Sequence, residues 1–413
     1  MAIIRPFKAL RPTREFAEKV ASRPYDVLSS DEARIEAKNN PYSFLHITKS
    51  EIDLPENTDP HSPAVYQKAN ENLENFIHHG ILGQEDNPLF YIYQLVMPSR
   101  LSGGNDRSQT GLVCVSSIQD YFNDVIKKHE FTRPEKEQDR VDHMKATRAQ
   151  TGNVFLAYND VKELNELIGH WKHNQLPVYD FIAEDGIRHT IWILNHPVVM
   201  ASIMAQFEAR VKNTYIADGH HRAASAARVS KEMPENKNAK FFLTTIFPAS
   251  QLVIMDYNRV VKDLNGLSTK EFLNALESDF KVEQINESFS PAQIHQFGMY
   301  LEGQWFKLSA KEGTYSKDPI GVLDVTILSN NILNKILGIA DQRTDKRIDF
   351  VGGIRGLNEL EKRVNSNEMK VAFSLYPVSI QQLFDIADSG NTMPPKSTWF
   401  EPKLRDGLLT HLI

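Results

Sequence analysis

Asp218, Gly219, His220, His221 and Arg222 stand in succession, a run that combines a carboxylate, a conformationally permissive glycine, two imidazoles and a guanidinium. Residues 214–217 ahead of it read as a short strand, and residues 221–229 behind it, rich in alanine, read as a helix. The run therefore falls on a strand-to-helix turn. Glycine permits a tight backbone there, and the first N–H groups of the helix point out of the turn with the positive end of the macrodipole behind them. Such a turn attracts an anion. Arg222 adds a fork of donors suited to phosphate, and the two histidines add donors that are neutral or charged near pH 7. Asp218 alone could be an N-cap, a role worth about 1 kcal/mol, but that leaves two histidines and an arginine unexplained. Adjacent histidines point in different directions on a helix, unlike an i, i+4 zinc pair, so no metal ligand is assigned.

The elements that must position this turn can be outlined from their punctuation. Ser62 and Pro63 start a helix that runs to His79 before Gly80. Apolar runs 89–97 and 111–117 form a hairpin whose polar tip, 103–106, is expected to be mobile, and runs 178–183 and 189–194 form another around Glu184, Asp185 and Gly186. Between the hairpins lies a charge-dense passage, 129–140, read as a solvated loop entering an amphipathic helix. His129, Glu130, Arg140 and Arg148 make it a second-rank candidate for contacts to a phosphate or a metal. Strand-like runs 241–247 and 251–261 follow, then alternating helical and extended segments, with a charged surface helix at 359–364. The fold class is mixed α/β. With no repeat, low-complexity tract or long linker, the domain boundary is a short connection near 263–268, giving domains 1–263 and 264–413.

The segment from Tyr215 to Ser225 resembles the phosphate-binding signature of the ParB/sulfiredoxin superfamily, and most closely that of its free serine kinases. The resemblance implies a ParB/sulfiredoxin-like nucleotide-binding core with inserted hairpins, plus a C-terminal α+β region that closes the active site. A second stretch agrees: residues 371–376, a helix near 379–388, and Met393-Pro-Pro-Lys-Ser-Thr-Trp-Phe-Glu-Pro-Lys403 are similar to the end of the archaeal free serine kinases. On that likeness Lys396, Ser397, Thr398 and Lys403 are substrate-binding candidates. Unaided, the sequence there reads as a rigid loop presenting one charge and two hydroxyls, on a terminus packed down by Trp399 and Phe400. The whole chain also resembles a widespread prokaryotic family of unknown function, through residues 23–27 (Arg-Pro-Tyr-Asp-Val) and 40–46 (Asn-Pro-Tyr-Ser-Phe-Leu-His).

Free serine kinases transfer a phosphoryl group from a nucleotide to the hydroxyl of L-serine. The resemblance thus implies ATP or ADP as donor, Mg2+ on its phosphates, a small amino acid as acceptor, and a carboxylate base near the N-terminus. Two residues compete for that last role. Asp26 sits in a stiff turn-like segment that could aim a short carboxylate or equally cap the turn, whereas Glu15 lies in a loosely similar place after a proline and reads more readily as a solvated helix residue. Asp26 is preferred, His221 is a further catalytic candidate, and Glu51 and Asp53 are weaker ones.

Bulk composition narrows the classes. The 413 residues are 41% hydrophobic, enough for substantial cores, and 47 Lys plus Arg against 53 Asp plus Glu give a net charge of −6. A chain that grips nucleic acid usually carries a basic surplus, and no basic DNA-reading element stands out, so nucleic acid is not an expected partner. The single cysteine, Cys114, lies in an apolar run and reads as a buried spectator. No secretory signal or membrane span is legible, which makes the cytoplasm the expected location. The alternative to a kinase is a ParB-like regulatory protein that binds nucleotide without small-molecule chemistry. Oligomeric state is left open.

Overall fold

The computed structural model describes residues 1–102, 105–394 and 396–413. The tip expected at 103–106 therefore lies partly outside the described residues. The chain divides into two compact units, one comprising Met1–Leu252 and Pro402–Ile413, the other Val253–Glu401. The division falls earlier than the expected 263–268, and the C-terminus returns to the first unit instead of staying with the second. Backbone pairing accounts for the return: Thr410–Leu412 pairs antiparallel with both Ala9–Pro12 and Ala149–Gln150.

The first unit is built on a nine-stranded mixed sheet. From one edge to the other its order is Ile126–Lys127, Thr214–Asp218, Val154–Tyr158, Phe241–Pro248, Arg107–Ser117, Phe90–Met97, Arg188–Leu194 and Tyr179–Ile182, with Ile4–Arg5 added antiparallel to Arg107–Ser117. Thr214–Asp218 runs parallel to Ile126–Lys127, and Phe241–Pro248 parallel to Val154–Tyr158, while the other pairs are antiparallel. From Gln109 onward the central strand Arg107–Ser117 is buried without alternation, as expected of a strand covered on both faces. Cys114 is wholly buried in it. Gly111 is required there, since a Cβ would come within 2.8 Å of the Phe247 ring and of the Thr245 methyl.

Both hairpins form where the sequence places them, and Gly186 turns the second with a φ of +82°. The early helix spans Pro63–His78 with proline at its start, although the Ser62 hydroxyl makes no capping bond. The charge-dense passage enters a helix, Pro134–Thr147, which buries Val141 and Met144 in the main core cluster. Ala223, Ala226, Ala227 and Val229 of the helix His220–Glu232 are buried in the same cluster. Small alanines explain why this helix can lie so close to its neighbours.

The second unit carries a six-stranded, fully antiparallel sheet in the order Phe280–Ile285, Gln304–Ala310, Gln296–Leu301, Val371–Leu375, Tyr257–Val261, Ile348–Gly352. Ile254–Met255 pairs separately with Trp399–Phe400. The strand expected over 251–261 is thus broken into two short strands that begin beyond the division between units. Leu357–Asn365 is helical as its charges suggest, but Leu360 and Val364, one turn apart, are buried. A capping box between Ser379 and Gln382 starts the helix Ile380–Asp388. Among the described residues no helix is long and apolar enough to cross a membrane.

Candidate functional site

The strand Thr214–Asp218 carries an irregularity against Val154–Tyr158: the register shifts between Ile216 and Asp218, so that Asp218 lies opposite Phe155. Such a bulge re-aims a side chain at a strand end. Gly219 follows with φ +96° and ψ 32°, a left-handed conformation that favours glycine, and the helix His220–Glu232 starts at once. Gly219 rather than Asp218 is the N-cap, and no side chain caps the helix. Asp218 has other work. Its Oδ2 is 3.3 Å from Arg222 Nη2 and 3.4 Å from Lys403 Nζ, the lysine arriving from the C-terminal strap of the same unit.

Asp26 completes the group. The helical turn Tyr25–Val27 sets its carboxylate 3.3 Å from the same Arg222 Nη2. Arg222 also donates from Nη1 to the carbonyl of Asn153. Its guanidinium is therefore engaged by the chain itself, where the sequence suggests a fork for phosphate: the arginine positions two carboxylates. Its side chain is 6% exposed, whereas those of Asp26 and Asp218 are each 30% exposed and that of Lys403 19%, so the carboxylates and the lysine form the accessible edge. Burial works against the Asp218 carboxylate, yet Lys403 and then Arg222 outweigh it and hold the carboxyl well below the usual range. Arg222 is likewise raised against burial by Asp26 and Asp218.

The histidines are held neutral. Burial, then its neighbour His129, drives His220 far below the ordinary histidine range, and burial followed by Lys136 and Arg133 takes His221 down to about 4. Both act as acceptors through Nε2, His220 from the His129 N–H at 3.4 Å and His221 from the Arg133 N–H at 3.0 Å. Of the two states the sequence leaves open, burial favours the neutral one, and the Nε2 atoms accept where donors were expected. His129 packs edge-on against His220 with ring centroids 4.5 Å apart, and burial pushes it down to about 4. Glu130 reaches to 3.9 Å from His220 Nδ1. The second-rank passage thus folds over the start of the motif helix.

The remaining candidates separate. Arg140 stacks on the Tyr25 ring at 3.9 Å and pairs with Asp139 at 2.7 Å, supporting the Asp26 turn from behind. Arg148 ends the helix Pro134–Thr147 in a left-handed conformation, with φ 50°, and is exposed. Glu15 is exposed on a turn and joins none of the site's ion pairs. Glu51 is bound by Ser30 and Lys49, and Asp53 by His46 and Asn72. Lys396, Ser397 and Thr398 belong to the second unit. There Lys396 is exposed with φ 61°, its carbonyl accepts from Arg259, and the Ser397 hydroxyl donates to Pro394 O.

One participant has no local signal in the sequence. Asp406 is 2% exposed, and its carboxyl comes within 3.3 Å of where a Cβ on Gly152 would stand, beside the Arg222 side chain. Burial lifts it to about 7, with Arg222 pulling down and Asp26 pushing up. Paired backbone bonds between Ser22 and Asp406 fix the segment that carries it next to the Asp26 turn. Among the described residues no cluster of three or more His, Cys, Asp or Glu could hold a metal ion.

A family model described as "Protein of unknown function (DUF1015)" matches residues 4–326. No curated protein matches the chain. Among solved structures, a free serine kinase in complex with AMP is 11% identical, covering 72% of this chain and 92% of its own, with a TM-score of 0.35. A conserved hypothetical protein from Pyrococcus furiosus is 14% identical, covering 72% and 94%, with a TM-score of 0.35. SbnI with C-terminal truncation from Staphylococcus aureus is 10% identical, covering 71% and 85%, with a TM-score of 0.37. These likenesses are too distant to carry a residue role across.

Proposed function

The chain belongs to the DUF1015 family, and for this member of it we propose a phosphotransferase that moves a phosphoryl group from ATP or ADP to the hydroxyl of a small amino acid, with free L-serine as the first acceptor to test. The observation that carries this reading is the chain of ion pairs that links Asp26 and Lys403, from opposite ends of the sequence, through Arg222 and Asp218 beside a helix N-terminus that no side chain caps. Phosphoryl transfer asks a protein for positioning and for positive charge around the moving group, and a helix start beside a lysine provides both.

In this reading the acceptor oxygen bonds to the terminal phosphorus, the bond from that phosphorus to the nucleotide's bridging oxygen breaks, and the hydroxyl proton passes to Asp26. Lys403 faces the phosphate oxygens. Arg222 keeps Asp26 and Asp218 in register, and neutral His220 and His221 hold the 129–133 segment over the helix start. Asp218 and Asp26 are already paired with cations of the chain, which fits magnesium that would travel on the nucleotide phosphates and keep several waters. When bound, that ion would neutralise phosphate charge. The engagement of Arg222 by the chain favours a second reading, a nucleotide-binding protein without transfer.

Incubation with magnesium, L-serine and either nucleotide, read by mass spectrometry for O-phosphoserine, separates the two. Product that falls about 100-fold or more in Asp26→Asn, as for loss of a general base, supports transfer. Nucleotide bound without product from L-serine supports the second reading.

A further inference from the structure

Away from the motif, the first unit has a cleft of about 640 Å3, bordered by Glu18, Lys19, Arg23, Glu184, Asp185 and Arg405. Its size falls in the range of roughly 300–1,000 Å3 usual for small-molecule sites. Arg405 is the built part of its wall. The side chain is only 8% exposed and is fixed on two sides, by Nη2 on Asp185 and by Nε at 3.5 Å from Nε2 of His189. His189 is fixed in turn by Tyr93, whose hydroxyl lies 2.8 Å from Nδ1, and it stacks on Phe181. Burial, then Arg405 itself, pushes His189 down to about 3, so it stays a neutral acceptor for the guanidinium. The main-chain N–H of Arg405 donates to the same Tyr93 hydroxyl. Among the described residues Arg405 Nη1 makes no hydrogen bond, and the side chain lines the cleft.

A guanidinium locked by a buried Tyr-His pair, with one nitrogen making no hydrogen bond among the described residues, on the wall of a cleft, is suited to receive an anion. The rest of the wall limits which anion. Arg23 is paired with Glu36, and the Lys19 ammonium lies over the Phe16 and Tyr42 rings. Glu18 and Glu184 are exposed and have no ion-pair partner among the described residues. A phosphate dianion would meet these carboxylates. A molecule that carries an ammonium beside its carboxylate would satisfy both signs.

We propose that this cleft binds a free α-amino acid, its carboxylate on Arg405 and its ammonium on Glu184. The proposal stands apart from phosphoryl transfer at the motif and is tested without nucleotide. Full-length protein is titrated calorimetrically, and its thermal unfolding followed, with L-serine, L-threonine and L-glutamate, using L-lactate and ethanolamine as probes that lack one charge each. At least one amino acid is expected to bind and raise the melting temperature, with both single-charge probes at least tenfold weaker. Glu184→Gln, an exposed change that leaves the fold intact, should weaken the amino acid about tenfold or more, in line with a hydrogen bond to a charged group. Arg405→Leu should abolish binding. If Arg405→Leu does not fold, Glu184→Gln decides. No binding by any of the three amino acids, or the same affinity in Glu184→Gln as in the parent, would overturn the proposal.

Discussion

Arg222 of the first unit and Arg259 of the second are both buried, and they are treated in opposite ways. Arg222 lies against Asp26 and Asp218, and those carboxylates raise its affinity for the proton despite burial. Arg259, 0% exposed, donates to the carbonyls of Tyr257 and Lys396 and lies 5.2 Å from the Phe350 ring, and burial pushes it down to about 10. The first organises charge at an accessible edge. The second clamps backbone and holds the loop that presents Lys396. A buried arginine is therefore a pointer to a site only when its partners are themselves ionisable and reach solvent.

Replacing each arginine by methionine breaks or confirms that contrast. Arg222→Met leaves two carboxylates with their shared partner removed, and loss of about 3–5 kcal/mol is expected, as when one side of a buried ion pair is deleted. Arg259→Met removes a costly buried charge and leaves carbonyls unpaired, so a smaller loss of about 1–3 kcal/mol is expected. Urea unfolding of both variants measures the difference. Equal losses would mean that the carboxylates add nothing to the role of Arg222.

The histidines sharpen the same comparison through pH. His129 and His221 hold folded values of about 4 against 6.5 in the unfolded chain, so the unfolded state binds more protons between these limits. Their contribution is complete above pH 6.5 and is lost as pH falls toward 4, by about 3 kcal/mol for the fully buried His129. Asp406 opposes this. Its folded value of about 7 lies above the ordinary 3.8, so its share of stability grows as pH falls through 7. The buried His143 and His411, also near 4, add to the histidine side. Net loss of stability from pH 6.5 to 4, seen in the urea midpoint, is the expected sign, and a midpoint that rises on acidification contradicts it.

How much of this was legible follows from how local each signal is. The motif helix could be read because strand, glycine and helix are contiguous, and Asp26 because proline and tyrosine stiffen its turn. The pairing of Arg222 with Asp26 and Asp218 could not. Asp218 reads as part of the phosphate-binding run, or more plainly as a cap, and only the bulge at Ile216 and the left-handed Gly219 turn its carboxylate toward Arg222 and Lys403. Asp406 and Arg405 sit side by side in a short terminal strap with no periodicity, and their roles depend on pairing with Ser22 and on a cleft wall built from distant segments. Glu15 was suggested by its place relative to a proline, and such a place says nothing about burial. The C-terminal return to the first unit rests on three paired residues, too few to carry a strand pattern.

The central claim is that the start of the motif helix, with Lys403, handles nucleotide phosphate. Calorimetric titration of ADP into the parent protein and into Lys403→Gln tests it most directly, because that lysine sits at the accessible edge and its loss leaves the Arg222–Asp26 pair in place. The account predicts binding by the parent and a weakening of about tenfold or more in the variant, the equivalent of one charged hydrogen bond. Equal affinity in the two proteins, or no binding by the parent, would contradict it.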